Sequence, residues 1–193
     1  ASGLGKDKGL PIVLEAGKKP LDEWMLNAYE TAIAHLNGYE RIEKKAEPVL
    51  TDLKGAERDL FVKGKAIYAR DGFCNTCHQS DGRGLQSSGF PPLAGTSWAT
   101  GSEERLIKLV LKGLHGPIEV LGQKYPGQVP MTPFAGMLND DEVAAVLTYV
   151  RNSFGNKASV ISSEKVKVTR SAIKDKTGFY SPDELLKQHP LEQ

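Results

Sequence analysis

The chain has 193 residues, of which 39% are hydrophobic and 25% charged, and its formal net charge at pH 7 is +1. This length suits one domain with extensions or two small domains, and a charge so near neutrality excludes a strong electrostatic attraction to nucleic acid or to a membrane surface. No apolar run approaches the length that spans a bilayer, so we expect no transmembrane segment. The N-terminus has neither an initiating methionine nor a hydrophobic signal region, which predicts a mature chain or an excised piece of a longer one.

Residues 1–55 are predicted to form an N-terminal extension with one amphipathic helix. Residues 1–20 are rich in glycine, lysine and proline and are expected to form a loop. Apolar side chains then recur at helical spacing over residues 21–36, which predicts a helix with a single apolar stripe. Pro48 and Gly55 interrupt the segment of mixed charge that follows, and we interpret this segment as a domain boundary.

A second helix is predicted over residues 56–70, with Gly64 on its inner face. A glycine inside a helix costs about 1 kcal/mol relative to alanine, so we expect another helix to approach closely at that point. Residues 72–101 are rich in glycine and proline and are predicted to be irregular. Such a long irregular stretch is unusual inside a compact domain, but a bulky cofactor would supply the core on which it packs.

Within this stretch, residues 74–78 read Cys-Asn-Thr-Cys-His. Two thiols three positions apart, followed directly by an imidazole, form the attachment pattern of a c-type haem, in which the cysteines bond to the porphyrin and His78 points at the iron. Cys74 and Cys77 are the only cysteines in the chain. A redox dithiol would be expected near a βαβ pattern, and a zinc site would need two more ligands at suitable spacing. Neither accompanies the motif, and a pair of buried structural cysteines is the remaining alternative.

The next elements have clear boundaries. A third helix is predicted over residues 102–112, and the short extended segment 116–122 indicates a small hairpin. Asn139 is a good N-cap for a fourth helix, with Glu142 placed to complete a capping box. Leu138 and Val143 flank this start as a hydrophobic staple. The buried stripe of this helix is expected to run through Val143, Val146, Leu147, Val150 and Phe154, and Gly155 is expected to end it.

The C-terminal part is less regular in pattern. Residues 156–180 are polar, with a weak strand signal at Val166 and Val168. Ser181 followed by Pro182 reads as an N-cap and a first helical residue, which predicts a short terminal helix.

Candidate axial ligands follow from the chemistry of the iron. A ligating histidine needs its other ring N–H bonded to an acceptor, and the rigid carbonyls of Pro91 and Pro92 are natural sources. On the opposite side, a methionine thioether raises the reduction potential relative to a second histidine. Met25 lies on a predicted apolar stripe and is expected in the core. Met131 lies between two prolines that hold its position with little loss of entropy, so Met131 is favoured and Met137 is the reserve.

The order of helix, Cys-Asn-Thr-Cys-His, Pro-x-Leu-x-Gly, helix, Met-x-Pro-Phe and capped helix resembles a class I cytochrome c domain over residues 56–157. The resemblance implies an all-α fold around one covalent haem c, with residues 158–193 as an irregular C-terminal extension. It also implies roles for individual residues: Cys74 and Cys77 attach the haem, His78 and Met131 bind the iron, Pro91 accepts a hydrogen bond from His78, and Leu93 packs on the haem.

Several polar residues have two interpretations each. Trp98, Tyr125 and Arg105 are candidates for hydrogen bonds to haem propionates, with core packing, loop packing and a solvated helix face as the respective alternatives. His115 is the alternative axial ligand, although a surface position is expected. A set of lysines is expected to face solvent, with steering of an acidic partner as the alternative: Lys63, Lys65, Lys108, Lys112 and Lys124.

These observations predict a one-electron carrier that performs no bond-making chemistry. Covalent haem attachment takes place outside the energy-transducing membrane, so a periplasmic or otherwise exported location is expected. Residues 116–131 are similar to single-haem domains joined to bacterial quinoprotein or other periplasmic dehydrogenases, which makes a dehydrogenase the expected redox partner. The alternatives are a haem enzyme or gas sensor with an exchangeable distal ligand, and a docking module whose haem only stabilises the fold.

Overall fold

The structure, a computed structural model, describes residues 5–16 and 51–191, and the chain divides into two compact units between residues 50 and 51. In the first unit the described residues form helix α1, Gly5–Ala16, which contains Pro11. The loop prediction is therefore wrong over this span, because a proline removes one hydrogen bond from a helix without always ending it. The helix predicted over residues 21–36 lies outside the described residues.

The second unit is helical apart from one short hairpin and isolated bridges among its described residues, as predicted. Residues 72–101 are irregular except for three short helical segments. In the described part of the chain, no helix has the length and apolar character needed to cross a bilayer. The elements of residues 51–191 are α2 (Gly55–Tyr68), α3 (Cys74–His78), a 3₁₀ turn (Gln86–Ser88), α4 (Ser97–Thr100), α5 (Glu103–Lys112), β1 (Ile118–Val120), β2 (Gln123–Tyr125), α6 (Asp140–Arg151), α7 (Ser163–Ala172) and α8 (Pro182–Gln188).

Helices α2 and α6 cross at Gly64, which confirms the reason expected for a glycine inside a helix. A Cβ atom at this position would lie 2.0 Å from the carbonyl oxygen of Ala145 and 2.8 Å from the Cβ of Tyr149. The rings of Phe61 and Tyr68 pack on Tyr149 beside the crossing, with centroids 5.1 and 5.2 Å from its ring. The absence of a side chain at Gly64 therefore lets the two helices meet backbone to backbone.

The start of α6 is confirmed in detail. The side chain of Asn139 accepts a hydrogen bond from the N–H of Glu142 at 2.9 Å, and the Glu142 carboxylate accepts one from the N–H of Asn139 at 3.1 Å. The staple residues Leu138 and Val143 are both buried. The helix ends at Arg151 rather than at the predicted Gly155.

The prediction of an irregular C-terminal extension with a weak strand signal is wrong over helix α7, Ser163–Ala172. Helix α7 begins after Ser162, whose side chain accepts a hydrogen bond from the N–H of Lys165. Val166 is fully buried and Val168 is 59% exposed. Side chains two positions apart share one face of a strand but point in different directions on a helix. The difference in burial between Val166 and Val168 is therefore the one expected of a helix. Helix α8 follows Ser181 as predicted.

The hairpin predicted near residues 116–122 is also present. Strands β1 and β2 are antiparallel, and Ile118 lies opposite Tyr125. Leu121 and Gly122 at the turn both have positive φ angles, 51° and 73°, as a tight turn of the type that matches strand twist requires. The division of residues 51–191 at 55/56 and 157/158 into a central domain and its extensions stays a prediction.

Candidate functional site

An apolar cleft opens into the unit formed by residues 51–191. Its walls come from α3, the segment before α4, helices α5 and α6, the hairpin and the loop before α6. Eight of the residues predicted for the site line it: Cys74, Cys77, His78, Pro91, Leu93, Trp98, Tyr125 and Met131.

Helix α3 presents the two cysteines to this cleft. Cys74 and Cys77 are three positions apart in the helix, a spacing that places their side chains on one face. Phe73 before the helix is extended, and Gln79 after it has a φ angle of 61°. The attachment motif is therefore a single helical turn bounded by two changes of chain direction.

The direction in which the pKa of each thiol is shifted argues against a redox dithiol. Burial raises the pKa of Cys74 to about 11 and also raises the pKa of Cys77. Catalytic cysteines of redox motifs instead have lowered pKa values, because the thiolate is the nucleophile. Nor do residues 5–16 and 51–191 contain a group of three or more His, Cys, Asp or Glu side chains that could hold a metal ion, so the described chain does not support the zinc alternative.

His78 is 8% exposed, and its Nδ1 donates a hydrogen bond to the carbonyl oxygen of Pro91 at 2.9 Å. This bond leaves the lone pair on Nε2 for an axial ligand. Burial lowers the pKa of His78, an effect that the hydrogen bond to Pro91 opposes. The Pro91 carbonyl comes within reach because Gly84 has no side chain: a Cβ there would lie 2.4 Å from the carbonyl oxygen of Phe90 and 2.5 Å from that of Pro91.

Asn156 is a supporting residue that sequence reasoning missed. Its side-chain amide donates to the carbonyls of Leu93, at 3.0 Å, and Val150, at 2.9 Å. Its carbonyl oxygen accepts from the N–H of Gly95 at 2.8 Å. One buried amide thus joins the segment that carries Leu93 to the end of α6. An asparagine after a helix is a common turn signal, so the sequence offered no reason to single it out.

Of the three methionines in the chain, Met131 lines the cleft. Its N–H donates to the carbonyl of Leu114 at 2.9 Å, which fixes the backbone beside the thioether. Met137 is 49% exposed and does not line the cleft, and Met25 lies outside the described residues. His115, the alternative ligand, is exposed and does not line the cleft either. The geometry therefore favours Met131 over both alternatives.

Trp98 and Tyr125 are both buried in the wall of the cleft. The indole N–H of Trp98 donates to the carbonyl of Glu119 in β1 at 3.2 Å. This bond ties α4 to the hairpin and occupies the hydrogen-bond donor that a propionate would need. The core alternative thus describes Trp98 better, and the propionate role of Tyr125 stays a prediction.

Three basic residues of α5 lie where the sequence did not place them. Arg105 is fully buried, does not line the cleft, and donates to the backbone carbonyls of Ser97, His189 and Pro190. Lys108 is 7% exposed and donates to the Nε2 of His189 at 2.9 Å. Lys112 donates to the carbonyl of Lys176. Both interpretations of Arg105 and the solvent-facing prediction for Lys108 are wrong, because the C-terminal segment covers this side of α5.

The residues in the cleft fit a covalently bound haem. Two thiols on one helical face, a buried imidazole with its Nε2 lone pair available and a thioether line one apolar cleft. This is the donor set that a haem of this type requires. The other described residues that line the cleft are apolar apart from Trp98 and Tyr125. None of them indicates a different cofactor.

Comparison with known proteins agrees with this reading. A sequence model of the family described as "Cytochrome c" matches residues 61–154. The chain is 40% identical over 117 residues to cytochrome c-552 of Thermus thermophilus, an alignment that covers 56% of this chain and 84% of that protein. It is 31% identical over 113 residues to the fructose dehydrogenase cytochrome subunit of Gluconobacter japonicus, with 56% of this chain and 22% of the subunit covered.

A similar match joins it to the cytochrome c subunit of the quinone-type alcohol dehydrogenase of Gluconacetobacter polyoxogenes, 30% identical over 112 residues, which covers 58% of this chain and 23% of that subunit. Members of the matched family bind haem c covalently, and Cys74, Cys77 and His78 have the spacing of its attachment motif. The motif, the helical fold and a relative aligned over most of its length agree, and the chain belongs to the cytochrome c family.

Proposed function

We propose that this protein carries single electrons, with His78 and Met131 as the axial ligands of a haem bound through Cys74 and Cys77. When bound, the haem iron supplies the chemistry by alternating between Fe(II) and Fe(III). The observation that carries the proposal is that one apolar cleft contains both thiols, the imidazole and the thioether.

The surrounding residues prepare these ligands for electron transfer. The Pro91 carbonyl orients the imidazole of His78 and increases its basicity. The apolar walls exclude water, which limits the reorganisation that accompanies a change of charge and raises the reduction potential. Prolines on both sides of the methionine fix the backbone near Met131. The ligands are thus held in place by the fold.

The lining also bears on the alternative of a haem enzyme or gas sensor. Acid–base catalysis at a haem needs a titratable side chain near the reacting ligand. Among the described residues that line the cleft, Tyr125 is the only titratable side chain besides the two cysteines and His78. This composition favours a carrier that makes and breaks no bonds of a substrate.

We further propose that the partner is a dehydrogenase in the periplasm or another exported compartment. The support comes from the relatives, which include cytochrome subunits of fructose, alcohol and gluconate dehydrogenases. The chain spans about a fifth of the length of these subunits, so it corresponds to one cytochrome module of such a protein. Either a separate dehydrogenase or one joined to this chain would deliver the electron.

The ligand assignment is tested by the sulfur-to-iron charge-transfer absorbance of the oxidised holoprotein. We expect this band in the wild type and in Met137→Ala, and its loss in Met131→Ala. Met137→Ala is a suitable control because this side chain is 49% exposed and away from the cleft. A band that survives Met131→Ala would refute the assignment.

The carrier function is tested by stopped-flow mixing of the reduced protein with a small oxidised redox protein. Electron exchange should be fast, and cyanide should bind the oxidised protein slowly because Met131 occupies the site. Rapid, tight binding of cyanide or carbon monoxide at neutral pH would instead indicate an enzyme or a sensor. Electron exchange too slow for turnover would indicate that the haem only stabilises the fold.

A further inference from the structure

The C-terminal strap, residues 158–191, lies beyond the family match, which ends at residue 154. It nevertheless contacts the Met131 loop, residues 130–138, directly at one point and reaches it at a second point through residues 113–115. The inference below rests on the proposed role of Met131 as an axial ligand.

The first contact is made by Arg170 of α7. Its Nη1 and Nη2 each donate to a backbone carbonyl of the loop, that of Ala135 and that of Leu138, both at 2.8 Å. Its Nε donates to the Asp140 carboxylate at 2.6 Å, at the start of α6. A guanidinium has a rigid planar fork that can bridge several acceptors at once. One side chain of the strap thus joins the end of the Met131 loop to the N-terminus of α6.

The second contact is made by the backbone of Tyr180. Its N–H donates to the carbonyl of Gly113, and its carbonyl accepts from the N–H of His115. Between these two residues, Leu114 accepts the hydrogen bond from the N–H of Met131. The strap, residues 113–115 and Met131 therefore form three adjacent extended segments, and the strap is the outer one.

The loop also donates hydrogen bonds from its own N–H groups. Phe134 and Ala135 donate to the carbonyls of Val110 and Leu111 at the end of α5. The carbonyls of Ala135 and Leu138 face the other way, toward Arg170. Without the arginine, the loop would keep its hydrogen bonds to α5 and lose those to the strap.

We propose that Arg170 is a positioning residue that holds the Met131 loop closed over the cleft and so controls how readily Met131 gives way to an external ligand. Hydrogen bonds from a charged donor are stronger than those between neutral groups. Without these hydrogen bonds, a larger fraction of the molecules would have the Met131 loop open. The strap thereby tunes the ligand exchange of a site to which it contributes no ligand.

The test is the rate at which cyanide binds the oxidised holoprotein, followed by loss of the sulfur-to-iron band. Arg170→Gln should bind cyanide about tenfold faster than the wild type, because the fork to the loop is lost. Arg170→Lys keeps the charge beside Asp140 and cannot bridge both carbonyls, so its rate should fall between these two. Glu103→Gln is the matched control: it removes the negative charge of Glu103 and weakens its contacts with Ser159 and Lys165 of the strap, away from the Met131 loop.

The control should stay within about twofold of the wild type. A rate for Arg170→Gln within that same margin would overturn the proposal, as would an equal acceleration in Glu103→Gln, which would indicate general loosening of the strap. The ligand assignment fails differently: wild-type protein would then bind cyanide as fast as Met131→Ala, whatever residue stands at position 170.

Discussion

The crossing of α2 and α6 allows a quantitative test at Gly64. In Gly64→Ala the new methyl group would meet the carbonyl oxygen of Ala145 at 2.0 Å, its carbonyl carbon at 2.6 Å and the Cβ of Tyr149 at 2.8 Å. Two of these atoms are backbone, and the third is the rigid root of a side chain. None can rotate away, so the helices must separate by roughly 1 Å in a core packed as densely as a crystal.

The energetic terms have opposite signs. Overpacking of a core costs about 1–3 kcal/mol, and the contact with backbone places this case at the upper end. Alanine is favoured over glycine inside a helix by about 1 kcal/mol. We therefore expect a net loss of about 2 kcal/mol in the free energy of unfolding. At about 3 °C per kcal/mol for a protein of this size, Tm falls by about 6 °C.

Thermal unfolding of the holoprotein, followed by far-ultraviolet circular dichroism, measures this change. Gly136→Ala is the control, because a Cβ at Gly136 has no atom within 4 Å and its effect should stay within about 0.5 kcal/mol. If Gly64→Ala unfolds at or above the wild-type Tm, the crossing does not require a glycine and the reasoning is wrong.

Three further predictions concern stability. Asn156→Ala removes three backbone hydrogen bonds and should lower the free energy of unfolding in a guanidinium titration by about 2–4 kcal/mol; a loss below about 1 kcal/mol would show that water replaces the amide. Asn139→Ala removes the N-cap of α6 and should cost about 1 kcal/mol in the same titration, whereas unchanged stability would contradict the capping box. The third concerns pH: burial first, and then the charge of Lys108, lower the pKa of His189, so the unfolded state binds the proton more readily. The contribution of neutral His189 to the free energy of unfolding is complete above pH about 6.5 and is lost as the pH falls below that value. Tm should therefore drop more between pH about 7.5 and 5.5 in the wild type than in His189→Gln, and equal drops would show that His189 is not responsible.

Short-range chemistry was readable from the sequence. The attachment motif at residues 74–78 needs only neighbouring residues, and the capping box at Asn139 and Glu142 needs only a spacing of three. The glycine at position 64 was informative because it is unfavourable in a helix, which implied a close neighbour without identifying it. The position of Met131 between two prolines singled it out among the methionines before the cleft was known.

The tertiary structure decided which partner each long-range group meets. Arg105 and Lys108 have the spacing of a solvated helix face, and they are buried only because residues 158–191 fold over α5. The strand predicted at Val166 and Val168 is wrong because an alternating sequence pattern does not show which side chains the rest of the fold will cover. In the structure Val166 is buried and Val168 is exposed.

The same limit applies to the support of the site. Asn156 lies 61 positions from Gly95, and Arg170 lies 35 from Ala135. A hydrogen bond depends on distance and angle in space, and a polar side chain in a loop carries no mark of the carbonyl it will reach. The sequence by itself therefore determined the cofactor and its candidate ligands, whose residue types and spacing the chemistry dictates. Only the folded chain decided what holds those ligands in place.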